Sequence, residues 1–260
     1  MPSSDSVAFD RAAEYYDRTR GTTAEHDLRT TRLLAGELRG RGRVLEVGVG
    51  TGQVSLPLHA EGIAMMGIDL SRAMLAKLVE KAGGTPPFPL VRADAVGMPF
   101  GDDRFGACVL RWVLHLIPDW REALRETARV VRPGGLLLIL LGGIEGPWED
   151  VRRRVGREAG HPVDAVGLGW GRYDLLDDAL AELGAARREL PPILVANDEP
   201  LGAFIDAVER NLFSWTWPIP EDARLAALPA VRQWATERFG PLDRVVEYEF
   251  EVVWRAYDLP

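Results

Sequence analysis

The stretch VLEVGVGTG, Val44 to Gly52, decides the fold. With Arg43 in front, its first half is an apolar run of one strand's length, Arg43–Val49. Its second half carries Gly48, Gly50 and Gly52 at alternate positions, ahead of a helical pattern over 52–60 that contains Pro57. Glycines at such a junction permit a sharp turn and a close approach of backbone N–H groups to a ligand. Outward from this point, strands alternate with helices. Ile63–Asp69 reads as the second strand, and Ser71 is placed to cap a helix carrying Met74, Leu75, Leu78 and Val79 at helical spacing. Phe88–Asp94 and Gly106–Val113 are the third and fourth strands. Asp119 with Glu122 forms a capping-box pattern ahead of a helix whose buried face is Trp120, Leu124, Ala128 and Val131. Leu136–Leu141 is the fifth strand. Continuous apolar strands alternating with helices imply an α/β class and a doubly wound parallel sheet covered on both faces.

The glycine loop alone is a weak signal, and its surroundings sharpen it. The spacing is G-x-G-x-G, and Gln53 stands where a dinucleotide fingerprint has its third glycine. No G-K-[ST] element follows, which excludes a P-loop. Asp69 ends the second strand, where a carboxylate accepts hydrogen bonds from ribose hydroxyls. Asp94 ends the third, where an adenine would project, and Glu46 lies within the glycine strand. Asp69 or Asp94 alone could be a loop cap. Together in this order, the three acids suit a cationic nucleoside and would repel a pyrophosphate.

The formal net charge of -8 argues against nucleic acid as the main partner. The single cysteine, Cys108, sits in the apolar run FGACVL and reads as a buried, inert thiol. His26, His59, His115 and His161 are too far apart in sequence for a metal-ligand motif; His26 and His161 read as surface residues. Arg152-Arg153-Arg154 reads as a solvated helix face. The N-terminus lacks the basic start and apolar stretch of a signal peptide, and the run LLLILL at 136–141 is too short to span a membrane. A cytoplasmic protein without metal or membrane association is expected.

VLEVGVGTG, GIDLS (67–71), RADAVGMPFGDDRFGACVLRWVLHLIPDW (92–120) and RVVRPGGLLLIL (129–140) resemble, in order, the motifs of the class I S-adenosylmethionine (SAM)-dependent methyltransferases. The likeness is to the small-molecule branch of the ubiquinone and menaquinone type. It covers 9–143 strongly and the remainder loosely. It implies a Rossmann-like, seven-stranded, mostly parallel sheet with a C-terminal antiparallel strand over 245–256, and SAM as cofactor. It further implies that Glu46, Gly48, Gly50 and Gly52 hold the methionine part, and that Asp69 binds ribose beside Leu70. Asp94 and Ala95 would bind adenine, and Arg111, Trp112 and His115 would face the methionine and the acceptor. Ala13–Arg20 matches the family's A-x-x-YD-x-x-R segment over the cofactor, giving Tyr16 and Arg20.

One methyltransferase domain over 1–260 is expected, with N-terminal helices at 8–40 (8–19 and 24–39) and a SAM-binding core at 43–143. Helical insertions at 144–172 and 199–239 would form a substrate cap. Within the second half the spacing suggests helices near 147–159, 173–183 and 199–211, a strand at 186–196, an aromatic loop at 212–220 and one or two helices up to 239. Val246, Tyr248, Phe250, Val252 and Trp254 alternate with Glu247, Glu249 and Glu251, a strand with one wet face. Aromatic faces at Tyr16, Trp112, Trp215 and Trp217 could stabilise a sulfonium, although Trp215 and Trp217 could equally pack on a core. His115 is the candidate general base because its ordinary pKa is near neutrality; a pocket wall or a buried structural role are its alternatives. The acceptor would be a small molecule, bound by a monomer or homodimer. Two other functions fit the pattern less well: a SAM-binding protein without transferase activity, and a nicotinamide dehydrogenase.

Overall fold

The computed structural model describes residues 6–20, 23–196 and 199–260. In chain order, a 3-10 turn at Asp10–Ala12 precedes α1 (Tyr16–Arg20), α2 (Ala24–Leu38), β1 (Val44–Val47), α3 (Ser55–Ala60), β2 (Met65–Asp69) and α4 (Arg72–Lys81). Next come β3 (Leu90–Arg92), β4 (Phe105–Arg111), a 3-10 turn at Leu114–Leu116, α5 (Trp120–Val130), β5 (Val131–Leu140) and α6 (Gly146–Ala159). The chain ends with α7 (Tyr173–Glu182), β6 (Ala186–Glu189), β7 (Ile193–Ala196), α8 (Leu201–Glu209), a 3-10 turn at Ser214–Thr216, α9 (Glu221–Phe239), β8 (Glu249–Val252) and β9 (Arg255–Asp258). These elements form two compact units. The first comprises Met1–Gly142, Val166–Ile193 and Val253–Pro260; the second comprises Gly143–Ala165 and Leu194–Val252.

The first unit is built on a seven-stranded sheet of order β3-β2-β1-β4-β5-β9-β6. β1 to β5 are parallel, and β9 runs antiparallel to both of its neighbours. β1 and β4 read as uninterrupted apolar runs because both faces of the sheet are covered: every residue of β1 is buried, as are Phe105 to Leu110. Leu45, Cys108, Leu110, Leu137, Ile139 and Leu124 join one apolar cluster. Full burial of such a leucine or isoleucine side chain contributes about 1.5–3 kcal/mol. Ser71 is the N-cap of α4, its Oγ accepting from the Met74 N–H at 3.1 Å. Pro57 lies in the first turn of α3, where its missing N–H would have no partner.

Several elements differ from the sequence reading. Asp119 is the N-cap residue of α5 but its side chain makes no capping bond. The buried face of α5 is Ala123, Leu124, Thr127 and Val130, and Val131 already begins β5. The helix expected over 8–19 is broken into a 3-10 turn and α1, because Asp10 and Asp17 are drawn into bonds with the loops after β1 and β2. The strand expected over 186–196 divides at Pro191-Pro192, which lack the N–H that a ladder requires. β6 joins the large sheet; β7 pairs with β8. The expected last strand divides likewise, so its final part in the large sheet is β9 and not 245–256.

In the second unit, α6, α8 and α9 bury Val151, Val155, Ile205, Val208, Val231 and Ala235 beside the β7–β8 ladder. α9 is a single helix with Pro229 inside it. Arg152 is not solvated: it is 4% exposed, bonded to Glu149 and donating to the Val163 carbonyl. Arg153 and Arg154 pair with Glu149 and Glu158. The expected cap segments fall in this unit except for 166–172, which belongs to the first.

Candidate active site

The site is assembled where β1, β2, β3 and β4 end. At Gly48 the backbone turns with φ 71°, and a Cβ there would stand 2.7 Å from Val113 Cγ2. Only glycine lets the loop pass under Val113. Gly50, with φ 53°, donates its N–H to Asp69 Oδ2 at 2.8 Å. The Ser71 N–H donates to Asp69 Oδ1, also at 2.8 Å. Asp69 therefore is a loop cap, and it also lines the cleft, with a second lone pair on each oxygen. Burial pushes its pKa up to about 6 despite these two bonds.

Asp94 accepts from the Val96 N–H through Oδ1 at 3.2 Å, while its buried Oδ2 has no hydrogen-bond partner. Glu46 is 3% exposed, its Oε2 is also unpartnered, and burial raises its pKa to about 8. Arg111, at the end of β4, donates to Gln53 Oε1 and stacks over the Trp112 ring with 3.8 Å from its guanidinium carbon to the ring centroid. Trp112 holds φ at 52°, a left-handed conformation that costs a bulky residue about 1–3 kcal/mol. Its N–H donates to the Leu140 carbonyl at 2.9 Å.

Tyr16, Gly48, Gly50, Asp69, Leu70, Asp94, Ala95, Arg111 and Trp112 line one cleft. Glu46 lies beneath this lining, and Gly52 (φ 81°) turns against Leu56 and Leu78. Arg20 ends α1, and its side chain lies outside the described residues. His115 is 9% exposed and packs on Trp170, ring centroids 4.2 Å apart, rather than lining the cleft. Trp215 and Trp217 belong to the second unit. Trp215 is buried with its ring stacked on Phe213 at 5.8 Å, and Trp217 Nε1 donates to the Asn211 carbonyl at 3.3 Å.

The sequence reading missed the clasp of the N-terminal segment. Asp10 Oδ1 accepts from Ser71 Oγ at 2.8 Å and from the Ala73 N–H at 3.0 Å. Asp17 accepts from Thr51 Oγ1, Gln53 Nε2 and Lys81 Nζ at 2.5, 3.1 and 2.8 Å. Ser6, Val7 and Phe9 thereby join the cleft wall. Acidic residues next to Tyr16 and Phe9 were the available signal. His26, read as a surface residue, is 5% exposed because α2 turns it toward the end of β4.

Residues 45–139 match the family described as Methyltransferase domain. Over 148 residues the chain is 37% identical to phosphatidylethanolamine N-methyltransferase from Cereibacter sphaeroides, covering 55% of this chain and 71% of that one. The chain belongs to the SAM-dependent methyltransferases. This methyltransferase is also 34% identical, over 143 residues, to demethylmenaquinone methyltransferase from Clavibacter sepedonicus; the match covers 53% of this chain and 58% of that one. Among solved structures, the YcgJ protein of Bacillus subtilis superposes with a TM-score of 0.62 over 90% of this chain and 99% of its own. At 17% identity that likeness shows the shared fold.

The residues of the methyltransferase fit SAM. The unpartnered Asp94 Oδ2 suits the adenine amine, a hydrogen-bond donor. The glycine loop leaves room for a tail at Gly50, where the nearest atom to an added Cβ is 3.8 Å away. Glu46 places a buried carboxyl oxygen without a partner beneath the loop. A nicotinamide dinucleotide fits less well, since the Gln53 side chain bonds to Asp17 and Arg111 where a third glycine would stand. Among the described residues, no helix is long and apolar enough to cross a membrane, and no cluster of three His, Cys, Asp or Glu could hold a metal ion.

Proposed function

We propose that this methyltransferase acts on a small organic acceptor in the cytoplasm, as a monomer or homodimer, with its cleft residues dividing the labour. Asp69 accepts from the ribose hydroxyls beside Leu70, and Asp94 with the Ala95 N–H reads the adenine. Gly48 and Gly50 admit the amino-acid part over Glu46, and Tyr16 closes it from the N-terminal side. Trp112 and Arg111 face the acceptor. When bound, SAM supplies a methyl group on a sulfonium, open to in-line displacement. The protein's contribution is then alignment and exclusion of water, worth about 7–11 kcal/mol when reacting atoms are held in line. The single observation that carries this reading is the pair of buried carboxylate oxygens, on Glu46 and Asp94, left without partners in a glycine-turned cleft.

Trp215 and Trp217 are candidates for acceptor contact, and His115 acts as a positioning residue through Trp170.

The experiment is methyl transfer from labelled SAM to a panel of amines, phenols, quinols and carboxylic acids, with SAH binding measured alongside. Transfer to one class and SAH binding lost in Asp94→Ala are expected. SAH binding without transfer to any class would make the chain a SAM-binding protein. No SAH binding would overturn the site assignment.

A further inference from the structure

Gln53 joins two walls of the cofactor cleft that come from distant parts of the chain. One wall is the N-terminal segment, where Tyr16 of α1 lines the cleft next to Asp17. The other is the end of β4, where Arg111 and Trp112 line it. All of these residues belong to the first unit. Gln53 Nε2 donates to Asp17 Oδ1 at 3.1 Å, and Gln53 Oε1 accepts from Arg111 Nη1 at 2.5 Å. Hydrogen bonds to ionised groups are the strong ones. An amide has donors at one end and an acceptor at the other, so the two charges fix which way it points. Neither a carboxylate nor an ammonium at position 53 could bond to both partners.

Each end of this bridge is itself held. Asp17 also accepts from Thr51 Oγ1 and Lys81 Nζ, at 2.5 and 2.8 Å. Burial pushes the Asp17 pKa up, but the bonds from Lys81, Thr51 and Gln53 outweigh it, so the carboxylate stays ionised. At the other end, the Arg111 guanidinium lies over the Trp112 ring, 3.8 Å from its centroid. Trp112 has φ at 52°. A bulky residue keeps that conformation only where its surroundings hold it, and the guanidinium above the ring is one of the groups that does.

We propose that Gln53 is a positioning residue that couples closure of the N-terminal segment over the cofactor to the setting of the Arg111–Trp112 pair on the acceptor side. Closure brings Asp17 to the amide nitrogen, the amide oxygen then faces Arg111, and the guanidinium fixes the indole. The acceptor-side wall is thus complete only when the cofactor is covered, which excludes water before an acceptor engages. What fills the cleft rests on the methyltransferase reading; the bridge does not.

Two substitutions separate the halves of the bridge. Gln53→Glu still accepts from Arg111 but repels Asp17, and Gln53→Lys still donates to Asp17 but repels Arg111. The rate of SAH dissociation in stopped flow reports the closed segment. The Trp112 indole N–H signal of the 15N-tryptophan-labelled SAH complex, assigned by Trp112→Phe, reports the acceptor side. Gln53→Glu should release SAH about tenfold faster and leave the Trp112 signal at its wild-type position. Gln53→Lys should displace that signal and leave the release rate near the wild-type value. Asp17→Ala should change both, and in the Gln53→Glu background it should no longer move Trp112. A Trp112 signal unmoved by Asp17→Ala in the otherwise wild-type protein overturns the proposal. A shift of equal size in the Gln53→Glu background overturns it too, since the effect then bypasses this side chain. Folded Gln53→Glu and Gln53→Lys proteins that change both readouts alike also overturn it, by assigning Gln53 to packing. If SAH binds nowhere on the wild-type protein, the failure is of the methyltransferase site. The Trp112 signals of the ligand-free proteins then decide the bridge by the same pattern.

Discussion

Carboxylates stand at both ends of the large sheet, and they are treated in opposite ways. At the ends of β1, β2 and β3, Glu46, Asp69 and Asp94 have no cationic partner in hydrogen-bond reach among the described residues, Glu46 and Asp94 each keep a buried oxygen without a partner, and burial raises Glu46 and Asp69 to about 8 and 6. Around β6 and β9, Asp177 is bonded to Arg187, Arg255 and the Tyr257 hydroxyl, and Arg188 bridges Glu37 and Asp258. There Asp177 is held below its ordinary value, the bonds from Tyr257 and the arginines outweighing burial. Paired acids serve the fold. Unpaired buried acids cost stability and are kept where a ligand completes them.

The sharpest way to break this contrast is at the loop that hosts the unpaired acids. Gly48→Val should abolish SAH binding in calorimetry and lower stability by about 1–3 kcal/mol, since its Cβ would overlap Val113 in a left-handed turn. Next in size, Asp69→Ala should weaken SAH binding by about 1–3 kcal/mol and loosen both loops whose N–H groups it holds. On the paired side, Asp177→Ala should reverse the pattern. SAH affinity stays at the wild-type value, while the melting temperature falls by about 2–6 °C for a loss of about 1–2 kcal/mol. An Asp177→Ala protein that binds SAH poorly would erase the distinction.

Proton linkage sharpens the same contrast with a smaller effect. The unfolded chain loses the protons of Asp69 and Glu46 near 3.8 and 4.5, while the folded protein holds them to about 6 and 8. Between those limits the folded state binds more protons, so its ligand-free stability falls as pH rises from about 4 to 8. Glu46→Gln should flatten most of that slope in melting curves. Asp177 has the opposite sign: its contribution is present above its ordinary value and is lost as pH falls through its depressed folded value. SAH affinity should drop below about pH 6, as Asp69 becomes protonated and can no longer accept from two ribose hydroxyls.

The unpaired half of this contrast was legible in the sequence because its determinants are local. A glycine triplet, three acids at strand ends and continuous apolar strands each identify themselves within a few residues. The α/β class and a site for a cationic nucleoside follow from them; the count of seven strands and SAM itself came with the resemblance to the methyltransferase family. What escaped was set by tertiary contacts. Nothing near His26 in sequence says that α2 faces Arg111 and Trp254, or that Arg152 alone of three arginines turns inward to the Val163 carbonyl. The clasp by Asp10 and Asp17 spans more than 30 residues of chain. The paired network around Asp177 joins α7 to β6 and β9, elements whose bounds the prolines at 191 and 192 shift.

The smallest expected effect concerns the residue on which sequence and geometry differ most in emphasis. His115 follows β4, where a base would act, yet its ring lies on Trp170 and outside the cleft wall. A Cβ on Gly142 would come within 3.2 Å of His115 Nδ1, so the ring also supports the turn that leaves β5. A base would impose an acidic limb on the pH profile of turnover, and His115→Ala would remove it. A positioning residue would lower kcat and leave that limb and the KM for SAM in place. Because packing dominates its surroundings, His115→Ala should cut kcat about tenfold, a loss of about 1.4 kcal/mol in barrier terms. The limb should survive, and His115→Phe should recover part of the rate by restoring the contact with Trp170. A limb that vanishes in both variants would place a proton on this imidazole during the reaction.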